Sequence, residues 1–301
     1  MILNMKKPLT FEEQVKQLVK HKMDVTSEEL AVKVLSEINY YRFTGYAFQF
    51  RDNENPDDYL KNTSFETVLQ LYCFDQKLRW LLKPFLDIVE IYARTQIAYG
   101  FSMSKCIESP YNQHYDPTNF HHKSGHGTVI TDSLNREKVH NKDSLFVAHH
   151  SNKYGGKMPL WVIVELLSFT NLSKLYSAMY YSEQDKIASA MGTSKETLRN
   201  HLHCLANLRN KVAHAGRLYN AVYNPPVSLG KTYRQKNQQI MQDSLFAYII
   251  ALMRRLSNKT DRITLAKEIH ELLENYSDCV DLALIGFPHD YVHKLNEITI
   301  S

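Results

Sequence analysis

The chain of 301 residues carries a formal net charge of +4, with 44% hydrophobic and 23% charged residues, the balance of a soluble globular protein with one generous core or two smaller ones. Ten glycines and nine prolines argue against a turn-rich sheet architecture. No apolar run approaches the roughly 20 residues of a membrane span, and the first residues lack the basic, apolar, small-residue layout of a secretory leader.

The elements predicted in chain order are helices. The S/T-x-x-E pattern, in which side chains satisfy orphan amides at a helix start, occurs at Thr10 to Glu13, Thr26 to Glu29, Thr63 to Glu66 and Thr193 to Glu196. Apolar residues at helical spacing follow: Val15, Leu18 and Val19, then Leu30, Val34, Leu35 and Ile38. Tyr46 to Phe50 is a short apolar run and a weak strand signal, and Arg51 to Asn62 reads as a polar loop. From Phe65 to about Phe101 the pattern is long and apolar, with Leu78, Leu81, Leu82, Phe85, Val89 and Tyr92 facing the core and Pro84 marking a kink or a break. A second loop is expected over Glu108 to Gly127, then helices at about 128–152, 160–180, 183–191, 194–220, 238–256 and 261–275. The prediction is an all-α protein, with a helical N-terminal lobe over 1–60, a helical core over 61–225 and a helical C-terminal appendage over 226–301.

Cys73, Cys106, Cys204 and Cys279 are scattered without a C-x-x-C pair, which suits reduced thiols in a cytoplasmic protein. The mild positive charge permits nucleic-acid binding without demanding it, because electrostatic affinity depends on clustering. Nineteen tyrosines and thirteen phenylalanines offer faces on which unpaired bases could stack, although most belong to a core. Seven of the fourteen histidines fall between His114 and His150, including the run HHKSGH. That run has no accompanying cysteine and no carboxylate at ligand spacing, so no metal and no cofactor are expected. A polar loop whose histidines touch RNA is the better reading. P-loop, dinucleotide and nucleophile-elbow signatures are absent.

The densest chemistry lies in LANLRNKVAHAGRLYN. Read as one helix ending near Pro225 and Pro226, it places Asn210 and His214 one turn apart on a face, with Arg209 just around the cylinder and Arg217 and Asn220 to the same side. Ala213 is too small to cover the space between Arg209 and His214. By chemistry alone this is a helix surface patch with one Arg satisfying a neighbour. The alternative is a phosphodiester site, since Arg supplies charge, Asn orientation and His a proton carrier.

RNKVAH resembles the R-x4-6-H motif of the HEPN superfamily of all-helical ribonucleases, including the polar residue directly after the Arg. Other segments, in the same order, resemble the Abi-like branch of that superfamily, the abortive-infection AbiD/AbiF proteins. They are KKPLTFEEQVKQLVKHKM, INYYRFTGY (Ile38 to Tyr46), FDQKLRWLLKPFLDIVEIYARTQIAY (Phe74 to Tyr99) and MPLWVIVELLSFTNLSKLY (Met158 to Tyr176), followed by RNKVAH and RLYN. The resemblance covers roughly residues 5–222.

The resemblance implies a HEPN-like helical bundle and a metal-independent endoribonuclease acting in anti-phage defence or as a toxin. It casts His214 as the acid-base residue or as the group that positions the 2′-hydroxyl, Arg209 as phosphate clamp and Asn210 as orienting group. Arg217 and Asn220 would support the phosphate or the helix ends. Glu90 and Arg94 match the family's E-x3-R and read as a structural ion pair. Glu165, in an apolar helix, reads as a buried carboxylate needing an Arg or Tyr partner. His203 reads as partly buried. Tyr40, Tyr41, Arg42 and Tyr46 form a packing cluster in which Arg42 could touch RNA. In such enzymes two motif helices meet across a dimer; one motif per chain therefore implies a homodimer. RNA is the expected partner, as substrate and in the form of a small noncoding regulator.

Two other readings compete. DKIASAMGTSKETLRNHL, Asp185 to Leu202, resembles a helix-turn-helix that would present Ser194, Lys195, Thr197 and Arg199 to DNA. Its second helix runs unbroken into RNKVAH, so one face would serve two ligands, and an ordinary helical hairpin is preferred. The other is a catalytically idle HEPN module that binds RNA or a toxin-antitoxin partner.

Overall fold

The computed structural model describes residues 7–121 and 126–300, and the protein is all-α. Among the described residues there are fourteen α-helices, short 3-10 turns and two isolated bridges, Asp24 with Ser64 and Arg51 with Tyr59. The N-terminal helices are α1 (Phe11–Lys20), α2 (Glu28–Glu37) and the short α3 (Tyr40–Thr44). The spine is α4 (Phe65–Lys105). Then come α5 (His126–His140), α6 (Leu145–Tyr154), α7 (Leu160–Ile163), α8 (Phe169–Ala178), α9 (Tyr181–Ala190) and α10 (Lys195–Ala213). The chain closes with α11 (Lys231–Lys236), α12 (Leu245–Arg255), α13 (Lys259–Asn275) and α14 (Tyr291–Ile300).

Local chemistry explains most of the helix starts. Thr10 forms the full reciprocal box with Glu13. At the other three predicted starts the cap moves one residue on. Ser27, Ser64 and Ser194, not Thr26, Thr63 and Thr193, accept the amide three residues ahead. Ser caps as well as Thr, although only the Thr has a Glu three residues on. At α4 the choice is tertiary: the Asp24 amide donates to the Thr63 carbonyl at 2.8 Å, which holds Thr63 extended and outside the helix. Tyr46 to Phe50 is no strand, since Phe48–Phe50 is a 3-10 turn.

Pro84 neither ends nor splits α4. Its missing donor frees the carbonyl of Trp80, and both residues are exposed, so water can reach it. Leu82, Phe85 and Leu86 around it stay buried and hold the helix across the gap. The segment expected as one helix over 160–180 instead breaks at Leu167 and Ser168, because Ser168 caps α8 by accepting the Asn171 amide at 3.2 Å. Likewise 128–152 divides into α5 and α6.

One hydrophobic cluster runs from Val15 to Ile298. α10 packs on α4, α8, α9 and α12, while α13 packs on α4 and α14. All residues from Leu245 to Met253 in α12 are buried, so this helix is apolar on every side and sits inside the bundle. No helix among the described residues is long and apolar enough to cross a membrane.

Two histidines belong to this core. His114 lies against the Met158 carbonyl at 3.0 Å and His201 against that of Ser228 at 2.8 Å. Burial pushes their pKa values down to about 4 and about 3, respectively, below the 6.5 of a free imidazole. The unfolded chain therefore binds protons first as pH falls. The contribution of these two rings to stability is expected to be flat above about pH 6.5 and to decline from there to about pH 4 for His114 and about pH 3 for His201. Urea unfolding at pH 7 and pH 5 checks this; a His114→Gln protein should lose less on acidification than the wild type, and equal losses would refute the assignment.

Candidate active site at the end of α10

α10 buries Leu198, His201, Leu202, Leu205, Leu208 and Val212, and this places Arg209 and Asn210 at its half-buried margin. The helix stops at Ala213, well short of the expected end. His214 is its C-cap, with its amide donating to the Asn210 carbonyl at 3.0 Å. Ala215 follows in the left-handed region at φ 52°. Gly216 turns its amide onto the Lys211 carbonyl at 2.7 Å, and a β-carbon there would lie 3.1 Å from that oxygen. Any larger residue would have to push that carbonyl back by a few tenths of an ångström. Arg217 and Asn220 (φ 48°) therefore lie in a turn beyond the helix rather than on its face.

That turn is held from below by Asp75 of α4, which is fully buried. Asp75 Oδ1 accepts the amides of Leu218 at 2.9 Å and Tyr219 at 2.7 Å. Asp75 Oδ2 accepts the Tyr46 hydroxyl at 2.7 Å and pairs with Arg79. Burial pushes the Asp75 carboxyl upward, and these four donors oppose it. Arg79 also donates to the Gly216 carbonyl at 3.3 Å. From above, Arg42 donates to the Ala215 carbonyl at 2.6 Å and Arg217 donates to the Gly45 carbonyl. The α3 segment thus grips the turn that follows His214.

Arg209 reaches across to α4. Its Nε lies 3.1 Å from Glu90 Oε2 and its Nη2 donates to Glu90 Oε1 at 3.4 Å. Glu90 is buried, which pushes its carboxyl up, while Arg209 and Arg94 pull it down. Arg94 donates to Glu90 at 2.8 Å, to Glu165 Oε2 at 3.1 Å and to the carbonyls of Glu165 and Leu167, both at 3.0 Å. The i,i+4 pair Glu90–Arg94 is therefore present and Arg209 joins it. Glu165 is exposed rather than buried, its side chain 60% accessible, because the 3-10 turn Val164–Leu166 after α7 turns it outward beside Arg94. Asn210 donates from Nδ2 to the Thr170 hydroxyl at 3.1 Å.

The His214 ring is exposed and makes no hydrogen bond or ion pair among the described residues. Arg209 engages its Nε and Nη2 edge, which leaves Nη1 open. Two side chains are thus immobilised by α4 and α8, and the exposed imidazole at the helix C-cap is bonded to nothing among the described residues. His203 is also exposed, contrary to expectation, and lines a groove of about 620 Å³ between α8 and α10 with Arg199, Asn200, Thr170 and Ser173. Its position three residues beyond Asn200 on the outward edge of α10 accounts for this.

Residues 185–202 form a helical hairpin, α9 and α10 joined through Gly192 at φ 66°. Lys195 is drawn onto Asp185 at 2.8 Å and Ser194 is spent on the cap. Among the described residues no three His, Cys, Asp or Glu side chains converge as a metal site. Part of HHKSGH, residues 122–125, lies outside the described residues. Sequence reasoning missed Asp75 and Arg79, although their D-x3-R spacing repeats the Glu90–Arg94 signal on the same helix.

No curated protein and no solved structure matches the chain. The model of one family, described as Abi-like protein, matches residues 33–220, well over half of the sequence and the whole of the α3–α4–α8–α10 arrangement described above. The chain belongs to the Abi-like protein family.

Proposed function

We propose that the protein is an endoribonuclease of the HEPN type that acts in abortive-infection defence or as a toxin. The observation that carries this reading is the exposed, unbonded His214 imidazole one turn beyond Asn210, at the end of the helix where Arg209 is held on Glu90 through Nε and Nη2. In the proposed reaction the 2′-oxygen attacks phosphorus and its proton passes to a base. The bond to the 5′-oxygen breaks, and that oxygen takes up a proton. The products are a 2′,3′-cyclic phosphate and a 5′-hydroxyl. Neutral imidazole accepts the first proton and imidazolium supplies the second. Arg209 stabilises the charge that builds on the phosphate oxygens, its direction set by Glu90. These groups suffice without a metal. The test is cleavage of labelled RNA in excess EDTA by the wild type and by the His214→Ala and Arg209→Ala proteins.

Two proton carriers serve this reaction better than one, and each chain supplies a single motif. A second copy provides the other. α4 carries a surface suited to it: Trp80, Ile91, Tyr99 and Met103 are 63 to 64% exposed, with Ile88 between them and Trp161 alongside. The row spans about 35 Å at the helical rise. Large apolar side chains exposed in this number on one helix suit an interaction site. Ile91→Asp is expected to convert a dimer to a monomer in sedimentation, with helix content unchanged and cleavage lost. A wild-type sedimentation profile for that protein would remove α4 as the interface.

A further inference from the structure

Beside the turn that follows His214 lies a second hollow of about 710 Å³, formed by α3, the Phe48–Phe50 turn and Arg217. Arg42, Arg51 and Arg217 line it, and no carboxylate does. Each guanidinium is anchored on a backbone carbonyl: Arg42 on Ala215, Arg51 on Asp57 and Arg217 on Gly45. None has a carboxylate within 4.0 Å among the described residues, although ion pairs are frequent elsewhere in the chain. A carbonyl fixes the direction of a guanidinium without cancelling its charge, so three oriented cations share one concavity.

The rim is aromatic. Tyr41 is 87% exposed and Phe48 70% exposed, and both border the hollow. Single exposed aromatics require no explanation. Two that flank an uncompensated cationic hollow form the combination used to hold single strands, in which bases stack on rings and phosphates meet guanidinium groups.

Building on the nuclease reading, we infer that this hollow is a binding subsite for an unpaired RNA segment, with bases on Tyr41 and Phe48 and phosphates on Arg42, Arg51 and Arg217. Arg42 and Arg217 also hold the turn next to His214, so a strand seated here continues directly toward the cleavage site. The rings select single strands, because a duplex cannot offer base faces to them. The strand is either the one to be cut or a resident regulatory RNA; the chemistry is the same.

The experiment uses the full chain carrying His214→Ala, which keeps the RNA intact. Fluorescence anisotropy in EDTA compares a short unstructured RNA, the same backbone without bases, and a blunt RNA duplex. The unstructured RNA should bind best, and Tyr41→Ala with Phe48→Ala should weaken it roughly 5- to 150-fold for each stacked base lost. Tyr41→Trp should restore the affinity lost with Tyr41→Ala. With His214 restored, a raised KM at retained kcat in the Tyr41→Ala, Phe48→Ala protein identifies the strand as substrate; loss of co-purifying RNA at unchanged KM identifies a resident strand. Equal binding of duplex and single strand, or indifference to the two aromatic substitutions, overturns the subsite. If that indifference accompanies normal cleavage, the nuclease reading stands without the subsite. Aromatic-dependent binding with no cleavage by the wild type leaves the subsite and removes the nuclease.

Discussion

Replacing His214 by alanine is expected to reduce RNA cleavage by about 10² to 10⁴-fold, the range supplied by a positioned acid-base group. The same protein should retain its helix content and melting temperature. The ring is exposed at the end of α10 and bonds to nothing among the described residues, so its removal leaves no cavity and no orphaned donor. Arg209→Ala should lower cleavage by about 10² to 10³-fold, the effect of deleting one fixed donor to developing charge. It differs from His214→Ala in having a structural cost as well. Glu90 is buried and would keep Arg94 alone. The two variants therefore separate by stability as well as by rate. Undiminished cleavage by the His214→Ala protein in EDTA would end the proposal that this residue moves the protons, whatever the Arg209 variant did.

Asp75→Ala is the second large effect, and it is one of folding. One carboxylate accepts the Tyr46 hydroxyl, Arg79 and the amides of Leu218 and Tyr219, with no access to water. Removing it strands a buried guanidinium, for which a loss of about 3 to 5 kcal/mol is expected. The loss should appear as a lower urea midpoint and as faster hydrogen exchange at the amides of Leu218 and Tyr219. Because those amides anchor the turn that carries Arg217, activity should fall with the local order rather than through chemistry. Asp75→Asn can still accept both amides through Oδ1, but its amide group faces the Arg79 and Tyr46 donors, so an intermediate loss is expected. An unfolding midpoint equal to that of the wild type for Asp75→Ala would show that the turn is held by its other contacts.

Much of the candidate site was legible because its signals are local. Arg209, Asn210 and His214 fall within six consecutive positions, and helical geometry alone places Asn210 and His214 one turn apart. The Glu90–Arg94 pair is an i,i+4 contact that needs no tertiary knowledge. Arg209's engagement with Glu90 is different in kind: 119 residues separate them, and nothing in either segment announces the other. The end of α10 was legible too but was read past: Gly216, with Lys211 and His214 just before it, is a helix-stop signal. What the sequence does not announce is the partner of the turn, Asp75, which takes the two amides that a continuing helix would have used. The same capture moves Arg217 off the expected face and into the hollow under α3.

Composition, scarce glycine and proline, repeated caps and apolar periodicity were enough to determine an all-helical chain, and ordered segments from INYYRFTGY to RLYN were enough to determine its family; the family match starts at residue 33 and leaves the earlier segment KKPLTFEEQVKQLVKHKM outside it. These properties depend on residues close in sequence, where backbone geometry fixes the spacing. Tertiary structure alone decided that Glu165 is solvent-facing, that Pro84 rides inside one long helix, that α12 lies within the core and that Arg42 and Arg217 grip the turn after His214. Each of these depends on which surfaces meet. That is a property of packing between distant segments, and no local pattern encodes it.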